Sequence, residues 1–210
     1  MLQYQTIAKP TLELLKELMD MPSLADFVLV GGTNIALRLG HRVSIDLDLF
    51  SNSLFDTNDL LPELMMRFPT ILVGTQRSTS LQCWINEIKV DIVLHRYPWI
   101  NAIEIIDGLR MASVPDIIAM KLNAIAQRGA QKDFWDIAFL IQDYSILQML
   151  EFYQNKYTAN DVYFIIRSLT WFSDAENKME HMVIPIKTVT WNEIKSKIEF
   201  AVMDYLNSAL

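Results

Sequence analysis

Two aspartates, Asp46 and Asp48, stand in the otherwise apolar stretch SIDLDLF. Carboxylates are disfavoured in strands, and side chains two apart on a strand share a face. The alternation predicts Asp46 and Asp48 on one face, with Ile45, Leu47 and Leu49 packed against helices on the other. A third carboxylate, Asp91 in IKVDIVLH, has the same apolar and β-branched surroundings. If the two strands are neighbours, three carboxylates converge and repel strongly at low effective dielectric. A hard divalent cation relieves that repulsion. Magnesium prefers oxygen ligands and bridges carboxylates to phosphates. Two such ions about 3.5–4 Å apart can activate an attacking oxygen and stabilise a leaving one. Two magnesium ions are therefore the expected cofactor, with manganese as the alternative. Taken alone, Asp-Leu-Asp reads better as ordinary surface positions on a half-exposed strand, because short motifs recur by chance.

The residues just before it change that balance. FVLVGGTNIALRLG reads as a strand, a turn at Gly31-Gly32 and a helix that stops at Gly40. Backbone N–H groups in such a turn and at a helix N-terminus form an anion site. Gly32 would let the backbone approach a phosphate, and the Thr33 hydroxyl could donate to it. An anion cradle followed by an acidic pair is more specific than either signal alone, and it points to a metal-bound phosphate group held at Gly31, Gly32 and Thr33.

The elements that would position these groups follow from periodicity. A helix opens near Pro10, and another covers Asp56 to Phe68 with Leu60, Leu61, Leu64 and Met65 on one side. TILVGTQ, SLQCWI and IKVDIVLH read as strands, with Asn86-Glu87 as a tight turn. A short strand is expected at Ile103 to Ile106. From Pro115 onward the pattern is helical. Thr190 and Glu193 form a capping-box pattern before the last helix. The expected organisation is a mixed α/β core over residues 1–112 and a helical part over 113–210, packed together because no flexible linker separates them.

Composition narrows the class. Of 210 residues, 51% are hydrophobic and 20% charged, enough for a sizeable core. The net charge of −7 argues against a general nucleic-acid binder, although Arg110, Lys121, Arg128 and Lys132 form a local basic enrichment. The single cysteine, Cys83, reads as a buried apolar residue and points to an intracellular protein. With no signal peptide and no apolar run near the roughly 20 residues of a membrane span, the cytoplasm is the expected compartment and no membrane partner is expected.

LVGGTNIALRLGHRVSIDLDLF resembles the signature of the DNA polymerase beta-like nucleotidyltransferase superfamily, a glycine pair and helix ahead of Asp-x-Asp. It resembles more closely the AbiEii/AbiGii toxin family, the nucleotidyltransferase partners of type IV abortive-infection toxin–antitoxin systems. Gly31, Gly32, Thr33, Ala36, Leu37, Leu39, His41, Arg42, Ser44, Asp46, Asp48 and Phe50 carry that likeness. It continues through Asp91 and through VPDIIAMKLNAIAQRGAQKDFWDIAFL, where Lys121, Arg128, Lys132, Asp133 and Asp136 occupy the family's later motifs. No likeness of any specificity is read after Tyr144.

The resemblance implies an α+β fold, a mixed sheet flanked by helices and followed by a helical C-terminal part. It implies transfer of a nucleotidyl group from a nucleoside triphosphate to an acceptor hydroxyl, tRNA ends among the acceptors, and an antitoxin partner. On that reading Asp46, Asp48 and Asp91 hold the metals, Asp91 helps to activate the acceptor, and Gly31, Gly32 and Thr33 bind the triphosphate of the nucleotide. Lys121 moves towards the triphosphate, with Arg128 as a second cation on its helix. Asp133, preferred over Asp136, orients them or serves in catalysis. Arg42 either reaches a phosphate or pairs with Asp136. Two alternatives stand beside this reading: a catalytically idle module of the same fold, and a metal-dependent nucleotide-sugar glycosyltransferase that uses Asp-x-Asp.

Overall fold

A computed structural model describes residues 1–158, 161–177 and 183–208. His181 lies outside them. Helix α1 (Lys9–Met19) carries Pro10 in its first turn, where the missing N–H costs nothing, and buries Leu14, Leu15 and Leu18. Strand β1 (Val28–Leu29) leads directly into α2 (Gly31–Leu39), so the two glycines are the first helical residues. Gly40 closes α2 in the left-handed region, at φ 65°. After β2 (Leu47–Ser51), helix α3 (Thr57–Arg67) starts with the Asp56 carboxylate accepting from the Asn58 N–H. Leu60 and Leu64 are buried as expected, but Met65 is exposed.

Strands β3 (Leu72–Arg77), β4 (Ser80–Ile85) and β5 (Ile88–Leu94) form an antiparallel meander. Asn86 and Glu87, at φ 50° and 67°, make the tight turn that the sequence suggested. The strand expected at Ile103 is the first half of a hairpin, β6 (Glu104–Ile106) and β7 (Leu109–Met111), turning at Asp107-Gly108. The helices that follow are α4 (Val114–Arg128), α5 (Gln131–Leu140), α6 (Ile146–Tyr157), α7 (Tyr163–Leu169), the short α8 (Ser173–Asn177) and α9 (Trp191–Ser208). The Thr190–Glu193 capping box forms in both directions. Among the described residues no helix is long and apolar enough to cross a membrane.

The seven strands make one mixed sheet, β3-β4-β5-β2-β1-β7-β6. One apolar cluster packs α1 and α3 against the meander side, and includes Leu15, Leu47, Leu64, Cys83 and Val90. The other joins Val28, Val30 and Ile35 to Ile117, Phe134, Ile137, Ile194 and Ile198, so the helical half and the β1–α2 unit share a core. Cys83 is fully buried, and burial pushes its thiol pKa up to about 12, which removes it from nucleophilic chemistry.

One expectation needs correction. Strand β2 starts at Leu47, so Asp46 precedes it, and Ile45 is 66% exposed rather than packed under a helix. The preceding residues bond elsewhere. Ser44 N–H donates to Thr6, Val43 N–H donates to Ile184, and Arg42 bridges to Pro185. These partners draw residues 42–44 away from the sheet before the ladder begins.

Candidate active site

The first thing the fold settles is the spacing of two carboxylates. Strands β2 and β5 run parallel, and Asp48 lies opposite Asp91 in their register. Residues in register on neighbouring strands project from the same face, so Asp48 and Asp91 share one. Asp46 stands just ahead of the strand, within electrostatic reach of both Asp48 and Lys89. Burial raises the Asp48 pKa, and the charges of Asp91 and Asp46 raise it further, against Lys121 and Lys89.

The carboxylates are not three bare charges. Asp91 accepts from Lys89 Nζ at 2.6 Å and from Gln82 Nε2 at 3.1 Å. Asp46 faces Lys132 Nζ at 3.6 Å. Among the described residues no three His, Cys, Asp or Glu side chains converge closely enough to hold a metal ion as they stand. Lysines pair with the outer two carboxylates, and among the described residues no ion pair to Asp48, between them, is found.

Gly31 sits directly against Asp48. A Cβ there would lie 2.1 Å from Asp48 Oδ2, and its φ of +67° suits glycine. A Cβ on Gly32 would meet Arg42 Nη2 at 2.6 Å. The glycine pair therefore makes room for a carboxylate and a guanidinium. Thr33, expected at a phosphate, is fully buried; its hydroxyl donates to the Asp46 carbonyl and lies 3.0 Å from Ser44 Oγ. It fixes the turn that carries Asp46.

Lys121 and Arg42 are both drawn into ion pairs, and for Arg42 the partner is Asp136, one of the two contacts that the sequence offered. Neither is a surface cation: both are 4% exposed. Lys121 Nζ lies 2.9 Å from Asp133 and 2.6 Å from Asp136. Arg42 donates to Asp136 through Nε at 2.6 Å and Nη2 at 2.9 Å, and its Nη1 donates to the Val43 carbonyl. His41 Nε2 completes the Asp136 contacts at 2.7 Å, so that nitrogen carries the proton. Asp133 also accepts from Arg128 Nε at 2.8 Å and Nη2 at 3.1 Å. Burial alone would raise both carboxyl pKa values. Lys121 and Arg128 hold Asp133 below the ordinary range, and Arg42, Lys121 and His41 hold Asp136 well below it. Asp133 and Asp136, one turn apart on α5, thus lock three cations from the 41–42 loop and α4 onto the sheet.

A cleft of about 300 Å³ joins these parts. Gly31, Asp48, Lys121, Arg128 and Asp133 line it, and so do the rings of Phe50, His95, Tyr97 and Tyr157. Asp46 and Asp91 do not line it; Asp46, Arg42 and Lys132 border a smaller hollow of about 70 Å³ beside Ile184. The aromatic wall is braced from behind. Buried Lys156 lies 2.7 Å from Asp116 and 4.7 Å above the Trp99 ring, and Asp116 accepts the Ile100 and Asn101 N–H groups. His95 stacks on Trp99, with ring centres 5.2 Å apart, and burial lowers its pKa to about 4.

Sequence reasoning missed Lys89, Gln82 and the aromatic wall. The first two were findable: Lys89 is two residues from Asp91 on one strand face, and Gln82 is its cross-strand partner. Tyr97 and Tyr157 meet only in the fold, from a loop and from the last residue of α6, with ring centres 4.7 Å apart.

The family model described as "Nucleotidyl transferase AbiEii toxin, Type IV TA system" matches residues 13–209. The Aquifex aeolicus (strain VF5) protein aq_aa25 is 29% identical over 208 residues, 96% of this chain and 98% of that one. Among solved structures, JHP933 from Helicobacter pylori aligns over 97% of this chain and 96% of its own, at 18% identity and a TM-score of 0.59. MenT4, a nucleotidyltransferase toxin from Mycobacterium tuberculosis, aligns over 85% of this chain and 75% of its own, at 14% identity and a TM-score of 0.52. At these identities the structural likenesses concern the fold.

Proposed function

The chain belongs to the AbiEii nucleotidyl transferase toxin family, and from that premise we propose that Asp46, Asp48 and Asp91 are its catalytic carboxylates and that it acts with magnesium. The observation that carries the reading is the parallel register of Asp48 with Asp91, beside the glycine start of α2. Residues 1–112 are read as the catalytic core, and 113–210 as the helical part that closes the cleft.

Carboxylate oxygens are the donor set that magnesium prefers, and burial, with the neighbouring Asp91 and Asp46 charges, raises the Asp48 pKa, a penalty on its charged form that a bound cation would relieve. Asp46, Asp48 and Asp91 would hold the ions once Lys132 and Lys89 release the outer two. Magnesium would supply positive charge to the triphosphate and to the departing pyrophosphate.

The chain's own groups do the rest. The N-terminal N–H groups of α2 at Gly31 and Gly32 favour the triphosphate. Arg128, whose side chain is 55% exposed, is held by Asp133 at the cleft and is the cation best placed to meet it. Lys121 and Asp133 position that guanidinium, and Arg42 with Asp136 positions the loop before Asp46. The acceptor oxygen attacks the α-phosphorus, the bond to the bridging oxygen breaks, and pyrophosphate leaves. Asp91 helps to take up the acceptor proton. A tRNA end is the leading acceptor and an antitoxin the expected partner, on the strength of the family.

Calorimetric titration of magnesium-triphosphate tests the site. Asp46→Asn and Asp48→Asn should fold and lose binding; binding as tight as the parent's in both would remove these residues from the site.

A further inference from the structure

The proposed chemistry leaves one wall of the cleft without a task. Helix α4 presents Asn123 and Gln127 one turn apart, and both line the cleft beside Lys121 and Arg128. No hydrogen bond to either amide is found among the described residues, although nearby polar groups are densely paired. Tyr97 and Tyr157 line the same cleft, edge to face at 4.7 Å, with Tyr97 45% exposed. Their backing is rigid: the Lys156–Asp116 pair and the stacked His95 and Trp99 fix the 95–101 loop against α4 and α6. The lining thus combines charged groups with aromatic surface and two amides, Gln127 the more exposed of them, for which no partner is found among the described residues.

A side-chain amide offers a donor and an acceptor side by side, the pattern that matches a nucleobase edge. Aromatic rings stack on any base. We propose that Asn123 and Gln127 select the nucleotide, hydrogen-bonding the base of the incoming nucleoside triphosphate while Tyr97 and Tyr157 pack against its face. This rests on the triphosphate reading given above. It assigns the aromatic end to the base and the Gly31–Arg128 end to the phosphates. Selection follows because a base that leaves a desolvated amide unpaired is penalised.

The test is nucleotide preference, measured as kcat/KM and as calorimetric affinity for ATP, CTP, GTP and UTP. Inorganic tripolyphosphate serves as a probe that has phosphates and no base. Asn123→Ala and Gln127→Ala should melt like the parent, since neither amide holds a partner. Each should reduce the ratio between best and worst nucleotide by about tenfold, in line with the worth of a good base contact, and leave tripolyphosphate affinity unchanged. Gln127→Glu keeps the shape but only accepts, so it should shift preference towards bases that present an amino group. A preference unchanged in all three variants, with transfer intact, overturns the base-reading role and leaves the triphosphate reading standing. A parent that discriminates among none of the four overturns it too. A parent that binds none of the four overturns both.

Discussion

Asp136→Asn is the substitution with the largest calculable consequence. Asp136 is fully buried and receives Arg42 through two nitrogens, Lys121 at 2.6 Å and His41 at 2.7 Å. Its removal takes the carboxylate from Arg42 and leaves Lys121 sharing Asp133 with Arg128. An isosteric amide keeps the volume and one acceptor oxygen, so the loss is electrostatic. Breaking one partner out of a buried pair costs about 3–5 kcal/mol, because the remaining charges stay desolvated. For a chain of 210 residues that corresponds to a fall in Tm of about 10 °C. The assay is urea unfolding of parent and variant at several pH values. The folded carboxyl lies well below its ordinary 3.8, so its stabilisation is complete above that value and is lost as pH falls through the folded pKa. The deficit should stay constant from pH 7 to 5, then narrow below about 4. A loss under about 1 kcal/mol, the size of an exposed pair, would refute the argument that this cluster locks the helical half to the sheet.

Three further outcomes follow from the same geometry. Asp48→Asn should unfold no more easily than the parent at neutral pH, and should lose any advantage as pH falls through the raised pKa of Asp48, because the parent is then protonated as well; chemical denaturation with a parallel transfer assay reads both halves of this trade. Gly31→Ala should lower stability by about 1–2 kcal/mol for the left-handed backbone alone, and should reduce transfer further because its Cβ displaces Asp48; near-normal turnover would show that Asp48 tolerates the shift. His95 titrates near pH 4 in the fold against 6.5 unfolded, so its contribution of about 3 kcal/mol is intact above pH 6.5 and lost as pH falls towards 4; His95→Phe should flatten that part of the stability–pH curve.

Much of this site can be read from the sequence, because its parts are local. The glycine pair, the helix after it and the Asp-x-Asp spacing all lie within 18 residues, Gly31 to Asp48. The sequence expectation of neighbouring strands agrees with the Asp48–Asp91 register, since β2 is largely apolar and β5 is rich in β-branched residues. The rest depends on crossings between distant elements. The burial of Lys121 between Asp133 and Asp136 is not local information, because both carboxylates sit on another helix; only the packing of α4 on α5 buries it. Asp46 reads as a strand residue because nothing local reveals that residues 42–44 bond to Thr6 and to the 184–185 segment. The aromatic wall joins a loop to the end of α6, a segment whose sequence carries no recognisable motif.

The central claim is that the three aspartates transfer a nucleotidyl group with magnesium. The direct measurement is incorporation of α-labelled nucleoside triphosphate into total tRNA by the purified protein, with magnesium or with a chelator, for the parent and for Asp48→Asn and Asp91→Asn. The account predicts labelled tRNA from the parent with magnesium, none with chelator, and a loss of at least about a hundredfold in each variant. Undiminished labelling by Asp48→Asn, or labelling that persists in chelator, would contradict it.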